Sequence, residues 1–306
     1  MAVLTILALA CGLFAGCAGW SSPPAGTGGL PGEERAAGGE EHPSEGGADD
    51  KTPAQEQAGP IDSGLTPDGG EGAAAVPPMA ADPAGGRSPD EPEEPVKTHY
   101  MNENYFLKPI NEDGNERVVL LTFDDGPKEE TLLVSILDTL DRHGAKAIFF
   151  VNGFRVRQNP DLVRLVDERG HAVGNHAYDH IVLRGEPEDV IDRQLGDVQD
   201  LVEETIGKRP RFFRPPNGAG NDYIRAKAGE LGMLYMNWSN GSLDWADNKG
   251  DPDGVVRTVM EQLRPGCIIL MHELSWTAEA LDELLTRIEE EGYSFLHPEA
   301  IDPEAR

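Results

Sequence analysis

Five ionisable side chains in this chain have the types and the spacing that metal-assisted hydrolysis requires. Asp124 and Asp125 stand side by side in "LTFDDGP", at the end of an apolar run. His176 and His180 lie four positions apart in "GNHAYDH", and His272 follows "CIILM". Two imidazoles at that spacing, on a helical turn or a compact loop, can reach one ion. The pattern predicts a metal centre with a second carboxylate beside it.

The Asp124–Asp125 pair also has an interpretation as an ordinary turn. Asp, Gly and Pro are favoured where a chain reverses, and "DDGP" could leave both acids in solvent. On a regular strand, neighbouring side chains point to opposite faces. A shared role for the two carboxylates therefore requires a bend that turns both toward one cleft.

The elements that must position these groups alternate along the chain. Short apolar runs predict strands at 117–123, 147–151, 171–175, 211–214, 234–238 and 267–271. Helical patterns lie between and after them, at 129–143, 159–169, 188–206, 222–231, 254–263 and 277–291. Repeated strand-then-helix units predict parallel strands with helices outside, as an open doubly wound sheet or as a barrel. In both architectures chemistry collects at the carboxyl ends of the strands.

Polar groups follow five of the six predicted strands. The Asp pair follows the first strand, the two spaced histidines follow the third, and His272 follows the last. Residues 215–217, "PPN", follow the fourth strand, and residues 239–245, "SNGSLDW", follow the fifth. Because these strand ends meet at one edge of the sheet, we favour the cleft over the turn for the Asp pair.

The remaining histidines and Cys267 are assigned no chemistry. The histidines are His42 and His99 in the tether region, His143 before a helix-ending Gly, and His171 and His297, which we interpret as structural. Cys11 and Cys17 belong to the leader, so the folded part has no disulfide framework. Cys267, alone in an apolar run, is predicted to be a small buried core residue.

From about residue 117 to residue 296 the chain resembles the polysaccharide deacetylase family, also called carbohydrate esterase family 4. "TFDDGP", "HAVGNHAYDH", "FFRPPNG", "SLDW" and "IILMH" occur in the family's order and with similar spacing. The resemblance implies an α/β fold, a distorted (β/α) barrel with fewer than eight regular strands. It makes residues 99–306 the catalytic domain, preceded by a disordered tether.

The resemblance also implies a role for each of the five side chains. Asp125, His176 and His180 become the ligands of one divalent metal ion, zinc in the first place, with cobalt, manganese or nickel as alternatives. Three protein ligands leave positions open for water and for a substrate carbonyl oxygen. Asp124 becomes the general base and His272 the general acid that protonates the leaving amine.

Further residues follow from the same resemblance. Arg214 is expected to hold Asp124 ionised through a charge-assisted hydrogen bond, although a surface cation is the alternative. Asp244 is expected to support His272 or Arg214. Trp245 is expected to form a wall where a sugar ring packs, with a core position as the alternative.

The substrate side of the predicted site departs from the common family pattern. Leu270 is expected to line the pocket for the acetyl methyl group, and Pro216 and Asn217 complete the predicted substrate-binding residues. Asn217 stands where the family often has Tyr, but the backbone N–H that would bind the oxyanion is retained. Gly241 stands where many members have Asp, so specificity on that side is open.

The first hundred residues predict export and tethering. Residues 1–17 form an apolar leader whose "FAGC" resembles a bacterial lipobox, with Cys17 as the acylated residue. No Lys or Arg precedes Arg35, so ordinary cleavage and an uncleaved anchor remain alternatives. Residues 18–98 predict a disordered linker: no Phe, Tyr or Trp lies between Trp20 and Tyr100. Residues 17–98 carry 16 Asp and Glu against 4 Lys and Arg.

Composition and resemblance together limit the function. A net charge of −29 argues against nucleic acid or anionic lipid as a partner. The leading hypothesis is removal of N-acetyl groups from an N-acetylglucosamine polysaccharide, with peptidoglycan as the first candidate and chitin-like oligomers as the other. The enzyme would be an exported monomer held at the cell envelope through its leader or a lipid anchor. An O-acetyl esterase acting on xylan or another acetylated glycan is the second hypothesis, and a non-catalytic glycan-binding domain is the third.

Overall fold

The computed structural model describes residues 96–305 of the chain. The predicted leader and nearly all of the predicted linker lie outside the described residues. Within them, the strands are β1 His99–Met101, β2 Leu107–Pro109, β3 Val118–Gly126, β4 Ala147–Val151, β5 Ala172–Asn175, β6 Phe212–Phe213, β7 Leu234–Tyr235, β8 Asn240–Gly241, β9 Cys267–His272 and β10 Ser294–Phe295. The helices are α1 Glu130–Arg142, α2 Gly153–Gln158, α3 Pro160–Glu168, α4 Glu188–Ile206, α5 Asp222–Glu230, α6 Pro252–Glu261 and α7 Ser275–Glu290.

The main sheet is parallel and curved into an incomplete barrel. Its strand order is β7-β6-β5-β4-β3-β9-β8, and β10 adds a short parallel pairing with the start of β3. The two edge strands, β7 and β8, are joined by residues 236–239 alone. Because each residue spans at most about 3.6 Å, that link keeps the two edges close together. The predicted distorted (β/α) barrel is confirmed, and a flat open sheet is excluded.

Side-chain alternation sorts the central strands into an inner and an outer face. Even-numbered residues such as Leu120, Phe150 and Ile268 form one buried cluster that includes no residue of α1 to α7. Odd-numbered residues such as Phe149 and Ile269 form the other cluster, together with apolar residues of the surrounding helices. Both faces are therefore buried, which explains the continuous apolar runs in these strands. By the same alternation, residues 122, 124, 270 and 272 belong to the inner face.

The bounds of the helices agree with the sequence patterns, whereas the patterns did not predict several short elements. Helix α4 has the predicted bounds, and Gly207, with φ +75°, ends it in the left-handed conformation. Strands β6 to β8 contain two residues each, and the patterns missed β1, β2, β8, β10 and α2. None of the helices within residues 96–305 combines the length and apolar character needed to cross a membrane.

The placement of His99 in the tether region was wrong. His99 is buried in β1, and its Nε2 lies 2.9 Å from the backbone oxygen of Asn115. The neighbouring Thr98 N–H donates to Ala300 O, and Asp302 N–H donates to His99 O. The folded domain thus includes the last residue of the predicted linker.

Candidate active site

A bulge at the end of β3 brings the two aspartates to one pocket. The pairing of β3 with β4 shifts register between Asp124 and Gly126, and Asp125 has φ +67°. On a regular strand Asp125 would point to the helix-covered outer face. The extra residue of a bulge re-aims the side chain, and both carboxylates line the same cavity. The interpretation of the pair as a solvent-exposed turn is therefore wrong, since Asp124 is 3% exposed.

A compact loop, not a helix, brings the two histidines together. The chain leaves β5 at Asn175, and His176 N–H continues the ladder by donating to Val151 O. The Asn175 side chain accepts the Ala177 N–H, and Gln194 Oε1 accepts the next two backbone N–H groups. His180 has φ +56°, and its ring centroid lies 5.1 Å from that of His176.

Asp125, His176 and His180 form a group that fits a metal ion. One ligand atom from each lies within 4.8 Å of the others. His180 Nε2 is 3.0 Å and His176 Nε2 is 3.5 Å from Asp125 Oδ1. That oxygen is buried yet accepts no hydrogen bond of normal geometry. A buried carboxylate oxygen without a partner, facing two imidazole nitrogens, is the donor set of a three-ligand metal site with open positions.

The carbonyl of Arg214 fixes which nitrogen of His176 faces the group. His176 Nδ1 lies 2.7 Å from Arg214 O, and a carbonyl can only accept, so Nδ1 carries the proton. The unprotonated Nε2 then faces Asp125. The hydrogen bond from Nδ1 to Arg214 O orients the ring, as metal-ligating histidines generally require.

The protein electrostatics keep the three groups in the protonation states that a cation needs, with one exception. Burial raises the pKa of Asp125, but the close contact with His180 and the charges of the histidines outweigh it and hold the pKa below its ordinary value. Burial lowers the pKa of His176 and favours the neutral ring. The contact with Asp125 raises the pKa of His180, so a bound cation must displace a proton there.

Arg214 holds the other aspartate from inside the barrel. Its Nη1 donates to Asp124 Oδ1 at 2.7 Å and to Thr122 Oγ1 at 2.8 Å, and its Nη2 donates to Asn237 O at 3.1 Å. The guanidinium lies 4.4 Å from the ring centroid of Phe150 and is fully buried. The surface-cation alternative for Arg214 is therefore wrong. Burial lowers the pKa of Arg214, and the charge of Asp124 opposes that shift.

Asp244 supports His272 rather than Arg214. Its Oδ1 lies 2.8 Å from His272 Nδ1, and its Oδ2 accepts the His272 N–H at 2.8 Å and the Thr277 hydroxyl at 2.7 Å. The Trp276 indole N–H donates to the Asp244 carbonyl. Burial lowers the pKa of His272, but the hydrogen bond and charge of Asp244 outweigh burial and raise it. His272 Nε2 is left available to the pocket.

The cavity that unites these groups has a volume of about 330 Å³. Its lining consists of Asp124, Asp125, His176, His180, Asn217, Trp238, Trp245, Leu270 and His272. Trp245 is 42% exposed, so the core alternative for it is wrong. Pro216 is buried in a 3-10 turn and is not among the lining residues. A larger cavity of about 720 Å³, with Tyr100, Tyr105 and Tyr235 in its wall, shares no residue with this site.

Three contributors were missed by sequence reasoning. Thr122 lies two residues before Asp124 on the same face, a signal that strand alternation offered. Trp238 lines the cavity at the end of a predicted strand, and it lies outside the motifs that carry the family resemblance. Thr277 opens a predicted helix, and nothing in its sequence context indicates its bond to Asp244.

The sequence and the fold of the chain are similar to those of known proteins. Residues 111–236 match the pattern of the polysaccharide deacetylase family. A peptidoglycan-N-acetylglucosamine deacetylase of Bacillus cereus is 35% identical over 189 residues, which cover 60% of this chain and 87% of that protein. The chain belongs to the polysaccharide deacetylase family.

Two further proteins of the family are similar to this chain. The chain is 35% identical over 203 residues to the peptidoglycan-N-acetylglucosamine deacetylase PgdA of Listeria monocytogenes; the match covers 66% of this chain but only 42% of that protein. A crystal structure of BA3943, a family 4 pseudoenzyme from Bacillus anthracis, superposes with a TM-score of 0.57 at 32% identity, covering 59% of this chain and 63% of that one.

Proposed function

We propose that this protein is a metal-dependent hydrolase that removes N-acetyl groups from a polysaccharide containing N-acetylglucosamine, with peptidoglycan as the substrate. One observation carries the proposal. Asp124 and Asp125 share one small cavity with His176, His180 and His272. Such a set combines a ligand group for a divalent cation with a free carboxylate and a free imidazole, as amide hydrolysis requires.

Asp125, His176 and His180 would hold one divalent metal ion, of which zinc suits two imidazoles and a carboxylate. The ion would polarise the acetyl carbonyl and lower the pKa of a water molecule bound beside it. Cobalt, manganese and nickel are the other candidates. His176 is held for this role by Arg214 O, and Asp125 by the bulge in β3.

Asp124 and His272 would move the protons. Arg214 holds Asp124 Oδ1, so Oδ2 is the oxygen that takes a proton from the attacking water. The water oxygen bonds to the carbonyl carbon, and the bond from that carbon to nitrogen then breaks. His272 donates its proton to the departing amine, and acetate is released. Asp124 and His272 are direct partners in the pairing of β3 with β9. This placement suits two groups that act on two sides of one reacting centre.

Asn217, Trp245 and Leu270 would bind the substrate. Asn217 has φ +57° in a 3-10 turn, and its backbone N–H is the proposed donor to the oxyanion. Leu270 belongs to the inner face of β9 and offers an apolar surface to the acetyl methyl group. Trp245, exposed at the rim beside His272, offers a ring against which a sugar can pack.

The choice of peptidoglycan rests on the relatives and on the first hundred residues. The Bacillus cereus and Listeria relatives are named for deacetylation of that polymer. Residues 1–17 and Cys17 are proposed as an export signal and lipid anchor, and residues 18–98 as the tether that lets a monomeric domain reach the wall. This arrangement makes the cell envelope the proposed location.

A catalytically inactive glycan-binding domain is the second candidate, because BA3943 is a pseudoenzyme of similar fold. The completeness of the group in this chain speaks against it: the ligand set, the free carboxylate and the free imidazole all line the cavity. Binding of glycan without any release of acetate, in the presence of added metal, would be the behaviour of such a domain.

The test is acetate release from purified peptidoglycan, N-acetylglucosamine oligomers and O-acetylated xylan. Each is assayed after metal removal and again after return of zinc, cobalt, manganese or nickel. We expect release from the N-acetylated glycans alone, lost on chelation and restored by metal. Asp124→Asn should lower kcat by about 10²- to 10⁴-fold, whereas exposed Asp247→Asn should leave it unchanged. Undiminished turnover in Asp124→Asn removes the base assignment, and preferential release from xylan makes the protein an esterase.

A further inference from the structure

Glu273 is a buried carboxyl group that the proposed reaction does not use. It follows His272 directly, is 1% exposed and is not among the residues that line the active-site cavity. Its Oε2 accepts the backbone N–H of Lys128 at 3.0 Å. Carboxyl groups are rarely buried to this extent unless neighbouring groups pair with them.

The carboxyl group lies directly against the backbone of Gly126. A Cβ atom on residue 126 would stand 1.7 Å from Glu273 Oε1 and 2.7 Å from its Cδ. Only a residue without a side chain leaves that space free. Gly126 is the residue at which β3 resumes its pairing with β4 after the bulge. Glu273 thus contacts the segment 126–128 at both ends, through Gly126 and through Lys128 N–H.

Burial of the Glu273 carboxyl group costs free energy, and the need to fill space in the interior does not explain why a carboxyl group stands there. Burial raises the pKa of Glu273 to about 7, the N–H and charge of Lys128 and the charge of Arg155 oppose that shift, and the charge of Asp125 adds to it. An apolar side chain of the same size would fill the space without desolvating a carboxyl group. It could not accept the Lys128 N–H, which would then be unpaired at the end of the bulge.

We propose that Glu273 is a positioning residue: its carboxyl group holds the bulge at Asp125 and Gly126 against the end of β9, and so keeps the metal ligand Asp125 and the base Asp124 in place relative to His272. The inference rests on the proposed function for the reaction, but not for the contact itself. The end of β9 then supplies both the proposed acid, His272, and the support for the neighbouring strand β3. A carboxylate ligand that is less well held binds metal less tightly.

The test uses four variants of the full chain, each with two independent measurements. The variants are Glu273→Gln, Glu273→Ala, Gly126→Ala and the double variant Gly126→Ala with Glu273→Ala. The measurements are zinc affinity, by competition with a chromophoric chelator, and the kcat and KM of deacetylation. Thermal unfolding of the metal-free proteins controls for loss of fold.

We expect Glu273→Ala and Gly126→Ala each to weaken zinc binding about 10- to 100-fold and to lower kcat by a similar factor with KM little changed. Glu273→Gln keeps the volume and the oxygen that accepts the Lys128 N–H, so both quantities should stay within about threefold of the wild type. In the double variant the new methyl group enters space that the carboxyl group has vacated, so zinc affinity should be no weaker than in Glu273→Ala alone.

Zinc affinity and kcat at wild-type levels in a folded Glu273→Ala protein would overturn the proposal, as would a Glu273→Gln protein as impaired as Glu273→Ala. Additive losses in the double variant would also overturn it, because they would mean that the two residues act independently. If the wild type released no acetate, the proposed function would fail while the zinc affinities still decided the role of Glu273.

Discussion

The strongest influence that raises the pKa of His272 comes from one neighbour, Asp244. Asp244 contributes a hydrogen bond and a negative charge that raise the pKa of His272 against the effect of burial. A general acid must carry its proton, so the proposed activity falls as pH rises through the pKa of His272. Raising that pKa extends activity to higher pH.

Asp244→Asn should therefore move the basic limb of the profile of kcat/KM against pH to lower pH. The substitution removes the charge that favours imidazolium, and kcat at neutral pH should fall by about 10²-fold. Thr277→Val is the matched control, since it removes one hydrogen bond from Asp244 Oδ2 and leaves the charge. A basic limb that stays in place in Asp244→Asn, or moves equally in Thr277→Val, contradicts this account.

Single residues also mark how far the sequence could predict the site. Asp124 and His272 keep the regular alternation of their strands, and the structure pairs them directly. The same alternation sends Asp125 to the opposite face, because a bulge changes one residue's conformation without altering the apolar pattern. Glu273 looks like an ordinary acid after a motif, and only its contact with Gly126 distinguishes it.

At the scale of elements, β5 can approach β4 because residue 174 has no side chain. A Cβ on Gly174 would lie 2.5 Å from Phe150 Cδ1 and 3.0 Å from Ile148 Cγ2. Phe150 in turn lies under the guanidinium of Arg214, so the glycine connects strand packing to the site. Extra volume in such a packed interior forces side chains and backbone to shift.

Gly174→Ala should lower the free energy of unfolding by about 1 to 3 kcal/mol. Gly196→Ala is the matched control: Gly196 lies within α4, and a Cβ there meets no atom within 4 Å. That change should raise stability by about 0.5 to 1 kcal/mol, because alanine loses less conformational freedom in a helix than glycine. Urea unfolding of both variants checks the opposite signs, and two changes of the same sign would refute the packing argument.

Elements differ in how well the sequence predicts them, and their length explains the difference. Helix α4 was predicted with its bounds because nineteen residues carry several turns of apolar periodicity and end at Gly207. Strands β6, β7 and β8 hold two residues each, too few for any periodic signal. The pairing of these strands depends on neighbours that are distant in sequence. The alternation of strands and helices therefore predicted the layers of the fold, whereas the barrel was predicted from the family resemblance.

At the scale of the whole molecule, the proposed reaction and the proposed membrane anchor are assigned to separate parts of the chain. The cavity residues fall between Asp124 and His272, whereas the proposed anchor is Cys17 and the proposed tether ends at residue 98. Every side chain that lines the cavity belongs to the part of the chain that the structure describes. Changes to the anchor should therefore move the protein without altering its catalytic constants.

Cys17→Ser tests this separation in cells. An acylated Cys17 would hold the protein in the membrane fraction, and serine cannot form the thioether that the anchor needs, so we expect the variant to leave that fraction. Its kcat and KM on soluble N-acetylglucosamine oligomers should equal those of the wild type, while deacetylation of the cell's own wall should fall, because a tethered domain has a high effective concentration at the wall. Cys11→Ser, a change in the same leader, is the control and should stay with the membrane. A Cys17→Ser protein that remains there would instead indicate an uncleaved apolar anchor.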